Sequence, residues 1–234
     1  MEKYVPRPDI ALIFHFKHIP VIEDIPPVKL EPYFLAPVLP HSIYLSSDGE
    51  MESFIVICKP TVLSRILKLD FSPSAKHDIN LPRDLFQPLW LQISQLKTSQ
   101  ERMSCFAGFA EHLQSRPYHP DAVDILYDCI LEKGTTTHLK DIVTQNCWAS
   151  QRTLERNFIR RTGVNPKTLA RIVRLHHLWT KINAGENIDY QYMVFDGNYF
   201  DQSHFINDFK NVIGETPGSF FKRNLNVVRK FSGK

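Results

Sequence analysis

Two segments of this 234-residue chain repeat one another without a gap, and nothing else in the sequence narrows the fold so far. The first runs Trp148-Ala-Ser-Gln-Arg-Thr-Leu-Glu-Arg-Asn-Phe158 and on to Gly163 and Pro166. The second runs Tyr199-Phe-Asp-Gln-Ser-His-Phe-Ile-Asn-Asp-Phe209 and on to Gly214 and Pro217. Leu154 and Phe205, Phe158 and Phe209, Gly163 and Gly214, and Pro166 and Pro217 each stand 51 residues apart. One offset shared by apolar, glycine and proline positions marks a duplicated structural unit.

Each copy carries the punctuation of a helix. Ser150 and Asp201 stand where an N-cap oxygen is wanted by free backbone N–H groups. Leu154/Phe158 and Phe205/Phe209 are i, i+4 pairs and form one apolar stripe. Gly163 and Gly214 suit the left-handed residue that closes a helix, and Pro166 and Pro217 suit the first position of the next. Upstream, Leu139–Val143 and Tyr190–Val194 read as short helices, with Asn146–Trp148 and Asp196–Tyr199 as turns. Helix, tight turn and second helix make a helix-turn-helix pattern. Between the copies, residues 166–183 hold no breaker after the opening proline, so they predict one helix of about 27 Å. Successive major-groove segments on one DNA face lie about 34 Å apart, so two such units could reach adjacent turns.

Charge supports a phosphate-binding role. Residues 1–119 hold 12 basic and 13 acidic side chains, and residues 120–234 hold 16 and 12. Within 150–181 the balance is eight to one: Arg152, Arg156, Arg160, Arg161, Lys167, Arg171, Arg174 and Lys181 against Glu155. A concentrated basic stretch is the footprint of a surface that meets nucleic acid, although a solvated helix face can look the same. The positions expected outside the apolar stripe, Gln151, Arg152, Arg156 and Arg160, can donate to base edges and phosphates. Lys167 is a candidate phosphate contact.

The stretch from about Pro120 to Arg223 resembles the DNA-binding domain of the AraC/XylS family of transcription regulators. Residues 197–210, Gly197-Asn-Tyr-Phe-Asp-Gln-Ser-His-Phe-Ile-Asn-Asp-Phe-Lys210, followed by Gly214, Pro217 and Phe220, carry the family signature. The resemblance implies a bacterial, cytoplasmic, nucleoid-associated regulator of the activator kind that binds double-stranded operator DNA and works with RNA polymerase. By the same resemblance Ser150, Gln151, Arg152 and Arg156 face the major groove from the first unit. Gln202, Ser203, His204 and Asn207 face it from the second. Many members carry a basic residue where Asn207 stands. Asn can pair bidentately with adenine, but it brings no charge to a phosphate. The first, more basic unit is therefore expected to dominate affinity.

The fold class expected is α+β: a small β-rich mixed domain over 1–115, then an all-α domain over 120–225 with two helix-turn-helix units joined by a long helix. Ala11–Phe16 and Ser53–Cys58 read as strands, with Ser42–Leu45 a weaker third. Prolines 20, 26, 27, 32, 37 and 40 mark the gaps. Thr61–Leu69 and Ser94–Leu113 read as helices, and Ser115–Pro120 as a linker. The family resemblance implies that the first domain senses a small-molecule effector or mediates homodimerisation. Phe14, Phe16, Tyr33, Phe34, Tyr44 and Phe54 could line an apolar pocket, although such residues are more often core.

Several functions are disfavoured. No apolar run reaches the roughly 18 residues needed to span a bilayer, and the first 16 residues do not read as a signal peptide. Cys58, Cys105, Cys129 and Cys147 form no C-x-x-C pair, and His15, His18, His41 and His77 lack metal-site spacing, so neither a metal nor any other cofactor is expected. Hydrolase, P-loop and zinc-protease motifs are missing, so no enzyme is expected. Two rivals stay open on the residues alone: a protein–protein module built on the helical repeat, and a regulator fused to cysteine-based DNA repair.

Overall fold

The computed structural model describes residues 2–72, 81–113, 117–134, 150–183, 194 and 199–220. The N-terminal part carries seven short strands: β1 (Glu2–Tyr4), β2 (Ile10–His15), β3 (Val21–Ile22), β4 (Val28–Lys29), β5 (Tyr33–Ala36), β6 (Ile43–Ser46) and β7 (Ser53–Cys58). They form two antiparallel sheets, one of order β1-β6-β3-β4 and one of order β5-β2-β7. Period-two alternation along the central β2 explains how the sheets meet. Ile10, Leu12 and Phe14 enter the main core, while Ile13 packs on the other side with Ile22, Leu30 and Phe34.

Seven helices follow among the described residues: α1 (Pro60–Ile66), α2 (Arg83–Gln95), α3 (Ser99–Leu113), α4 (Ala122–Lys133), α5 (Gln151–Thr162), α6 (Pro166–Asn183) and α7 (Gln202–Ile213). None of them is long and apolar enough to cross a membrane. Ser53–Cys58 is a strand over the span the sequence predicts, and the predicted Ala11–Phe16 strand is shifted by one residue. The helix expected over Ser94–Leu113 is instead two helices broken at residues 96–98. Thr98 and Glu101 form the break, since the Glu101 carboxylate accepts from the Thr98 N–H and hydroxyl. Arg83–Gln95 is a helix that the sequence reading does not include, and Pro88 lies inside it. Its apolar residues Phe86, Leu89 and Ile93 nonetheless follow helical spacing and are all buried.

α4 is the wedge between the sheets and the later helices. Asp121 and Asp124 cap it reciprocally, each side chain taking the other's backbone N–H. Tyr127 is fully buried and its hydroxyl donates to the Pro8 carbonyl at 3.1 Å, tying the helix to the first β connection.

The repeat is visible in three dimensions. α5 and α7 are both 12 residues long, begin at equivalent positions and end at equivalent positions. Ser150 and Asp201 are extended N-caps whose oxygens accept from the N–H groups of Thr153 and His204. Leu154, Phe158, Phe205 and Phe209 are all buried. Gly163 and Gly214 close the helices in the left-handed region, at φ 82° and 84°. The upstream helices and turns of both units lie outside the described residues, apart from Val194 and Tyr199.

The two glycines differ in their surroundings. A Cβ on Gly163 would stand 3.0 Å from the Phe71 carbonyl oxygen, whereas one on Gly214 would meet nothing within 4 Å. Gly214→Ala should therefore cost only the left-handed penalty, about 1 kcal/mol. Gly163→Ala should cost clearly more, because backbone must also move. Denaturant unfolding of both variants checks this, and equal losses would contradict it.

Candidate nucleic-acid interface

A surface that reads DNA from a helix needs polar side chains exposed on one face and apolar ones holding the other. α5 meets this need. Gln151, Arg152, Arg156 and Arg160 are exposed, while Leu154, Phe158 and Thr162 are buried beneath them. Ser150 is exposed too, but its hydroxyl is already the N-cap acceptor, 3.2 Å from the Thr153 nitrogen. Gln151 is tethered within the helix, its Nε2 donating to Glu155 at 2.9 Å. Lys167 is exposed on the first turn of α6. On α7, Gln202, Ser203, His204 and Asn207 are all exposed. The His204 ring packs edge-on against Tyr199 at 5.3 Å, and its Nε2 lies 3.8 Å from Asp208. The four candidates of each unit are therefore all exposed, at the cap or in the first half of the helix.

The structure distributes the basic stretch differently from a uniform DNA face. Arg161 turns away from the exposed side into the seam between α5, α1 and α4. Its side chain is 12% exposed, and every nitrogen is used. Nε and Nη2 donate to the Thr61 carbonyl at 3.1 and 2.6 Å, and Nη1 donates to both Asp121 oxygens at 2.8 Å. Nη2 also donates to Asp124 at 2.7 Å. Arg171 and Arg174 are likewise structural. They flank the buried Asp208 of α7 at 3.2 and 2.8 Å, and Arg174 also donates to the Gly134 carbonyl at the end of α4. The pair fixes the second unit's helix onto the linking helix α6. Arg160 is exposed, but its Nε donates to Asp70 at 3.0 Å. Arg152, Arg156 and Lys167 have no side-chain partner among the described residues.

The N-terminal part also reaches the second unit. The last carbonyls of any helix lack partners within it. Here the Phe71 N–H donates to the Arg160 carbonyl at 2.7 Å, and the Ser42 N–H donates to the Val212 carbonyl at 2.8 Å. His41 Nδ1 lies 2.7 Å from the Asn211 carbonyl, and Lys3 pairs with Glu215 at 2.6 Å, both side chains largely buried. Both helices are thus held from behind, at their C-terminal ends, by the β-rich part. Nothing local in the sequence marks Arg161, Arg174, Asp208 or Asp70 for these roles. The Asp121/Asp124 spacing before an apolar helix was the one local signal present, as a capping box.

Asp124 sits at the centre of the seam. Burial alone would raise its carboxyl, but bonds from the Asp121 N–H, Tyr118 and Arg161 outweigh burial and hold it down to about 2. Burial, and then Asp124, pushes the Tyr118 hydroxyl up to about 12.

Residues 147–223 match the family described as a helix-turn-helix domain. Among solved structures, the chain is similar to ToxT from Vibrio cholerae, with 14% identity, 94% of each chain covered and a TM-score of 0.53. It is also similar to ToxT from Vibrio cholerae O395 bound to (E)-4-(8-methylnaphthalen-1-yl)but-3-enoic acid, with 15% identity, 94% of each chain covered and a TM-score of 0.53. Comparison with curated proteins finds no match.

The seam gives a pH prediction. A carboxyl lowered from 3.8 to about 2 on folding contributes stability that is present above pH 4 and lost as pH falls toward 2. The contribution is about 2 kcal/mol. Melting temperature followed from pH 5 to pH 2 should fall steeply for the natural protein. Asp124→Asn should be less stable at pH 7 but should have a shallower acid limb. Parallel limbs would show that Asp124 is not the group responsible.

Proposed function

We propose that this chain, which carries an AraC-type helix-turn-helix domain behind a β-rich N-terminal domain, is a sequence-specific DNA-binding transcription regulator. The observation that carries the reading is the duplicated helix. Two capped 12-residue helices present Gln151, Arg152 and Arg156 and then Gln202, Ser203 and Asn207 as exposed polar side chains. Polar side chains of these types read base edges, and exposed cations meet phosphates. Nothing in a purely structural helical bundle requires Arg152, Arg156 and Lys167 to stand exposed and unpaired among the described residues.

In the proposed mode, each unit enters one of two adjacent major-groove segments of double-stranded DNA, with α6 setting the spacing. Ser150 caps α5, and Gln151, Arg152 and Arg156 read bases, with Arg160 and Lys167 on phosphates. Gln202, Ser203, His204 and Asn207 read the second segment. The first unit supplies most of the affinity, and the second supplies sequence choice. The protein acts in the cytoplasm at the nucleoid, as an activator that works with RNA polymerase. The domain boundary falls between residues 115 and 120, and the N-terminal domain takes a small-molecule effector or pairs two copies as a homodimer. The acid-bound ToxT structure, which shares this fold, supports the effector part of the reading.

Selection of bound sequences from a random DNA pool tests the reading directly, with enrichment of one motif expected. On the selected DNA, Arg152→Ala should weaken binding by about 1–3 kcal/mol and relax preference at one base position. Lys167→Ala should weaken all sequences alike and flatten the logarithmic salt dependence by about one unit. A helical protein–protein module would enrich no DNA, and its association would lack that salt slope.

A further inference from the structure

Between the β-rich part and the first DNA-reading helix lies a cleft of about 370 Å³, which shares only Arg160 with the proposed DNA-contacting residues. Three elements line it. α1 and the turn after it bring Arg65 and Lys68, α4 brings Asp121, and α5 brings Asn157, Arg160 and Arg161. Four cations face one anion. Some of that charge is spent: Arg161 is saturated by Thr61, Asp121 and Asp124, and Arg65 donates to the His119 carbonyl and Asp124.

What is left is specific. Lys68 is exposed and has no ion-pair or hydrogen-bond partner among the described residues. It is also the one non-glycine residue with positive φ, at 54°, among the described residues. A side chain with Cβ is held there against its preference. Arg160 gives only its Nε to Asp70, which leaves both terminal nitrogens for another acceptor. Asn157 offers an amide on the same helix, one turn before. Asp70 itself is fixed, its carboxylate taking the N–H and hydroxyl of Ser72. Those bonds, with Arg160, outweigh the opposing effect of burial and hold it ionised below its ordinary range. The Arg160–Asp70 pair is about half exposed on both sides, and such pairs are weak and exchangeable.

We propose that this cleft is a phosphate-binding site, held by Lys68, Arg160 and Asn157, in which Asp70 is the resident competitor for Arg160. The reading rests on the DNA-binding role of α5 only for one of two sources. The phosphate belongs either to the DNA backbone flanking that helix or to a free phosphate compound. In both cases Lys68 attracts the oxyanion and Asp70 opposes it. Two substitutions must therefore act with opposite sign, which a loss of folding cannot imitate.

The experiment uses the full chain, Lys68→Ala and Asp70→Asn, with two probes at low ionic strength. In calorimetric titration with pyrophosphate, a free-phosphate site is weakened at least fivefold by Lys68→Ala and strengthened two- to fivefold by Asp70→Asn, the range an exposed ion pair spans. In titration with selected DNA over a salt series, a backbone site loses about one unit of slope in Lys68→Ala and binds more tightly in Asp70→Asn. Opposite shifts in either arm support the cleft and identify its source. Shifts in neither arm, or shifts of the same sign, overturn it. If the natural protein binds no DNA, the function proposed above fails, while the pyrophosphate arm still decides the cleft.

Discussion

The Arg161 guanidinium is the point on which the arrangement of the rest depends. Placing Asp124 in the seam costs a large desolvation penalty, and one unpaired buried charge is strongly destabilising. Arg161 removes that cost and, with the same fork, satisfies the Thr61 carbonyl and both oxygens of Asp121. Three elements from different stretches of chain thus meet at one side chain: α1 from the β-rich part, the cap of α4, and α5. A lysine could not replace it, since a point charge has no planar fork to serve three acceptors at once. The exposed polar residues of α5 are held in register because the residue next to Arg160 points the other way and is locked.

That geometry also explains why the basic count overstated the contact surface. Arg160 and Arg161 are neighbours in sequence and about 100° apart around the helix. One therefore lies at the rim of the exposed face and the other in the seam. Arg171 and Arg174 serve Asp208 in the same inward manner on α6. Charge in a sequence is a one-dimensional count, and only the packing partner decides whether a cation faces solvent or an internal carboxylate.

The repeat was legible because its determinants are local. N-cap oxygens, i, i+4 apolar pairs and a left-handed closing glycine each act within a few residues, and all reappear at the 51-residue offset. The strands over 10–15 and 53–58 were legible for the same reason, as alternating or continuous apolar runs between prolines. β1, β3 and β4 were not, being only two or three residues long and defined by their pairing partners. α2 carries Pro88, whose missing N–H is tolerated when the apolar face of the helix is well buried. The candidate DNA-facing residues were readable from type and spacing. The residues that hold them were not, because the arginine partners of Asp70, Asp124 and Asp208 stand 90, 37 and 34 positions away.

The attachments behind the two helices are unequal in a way that bears on their coupling. The first is held by a guanidinium network, a cap bond from Phe71 and the exchangeable Asp70 pair. The second is held by one largely buried ion pair, Lys3–Glu215, and by contacts of His41 and Ser42 to its last carbonyls. Any movement of the β-rich part relative to the helices must break bonds at both ends together, because β1, the Ser42 segment and α1 belong to one packed body. Buried pairs resist salt and exposed pairs do not. Screening by salt therefore acts on the half-exposed Arg160–Asp70 pair more strongly than on the Arg161 seam or the Lys3 pair, so Arg160 is the one cation of α5 whose freedom depends on ionic strength while both helices stay attached.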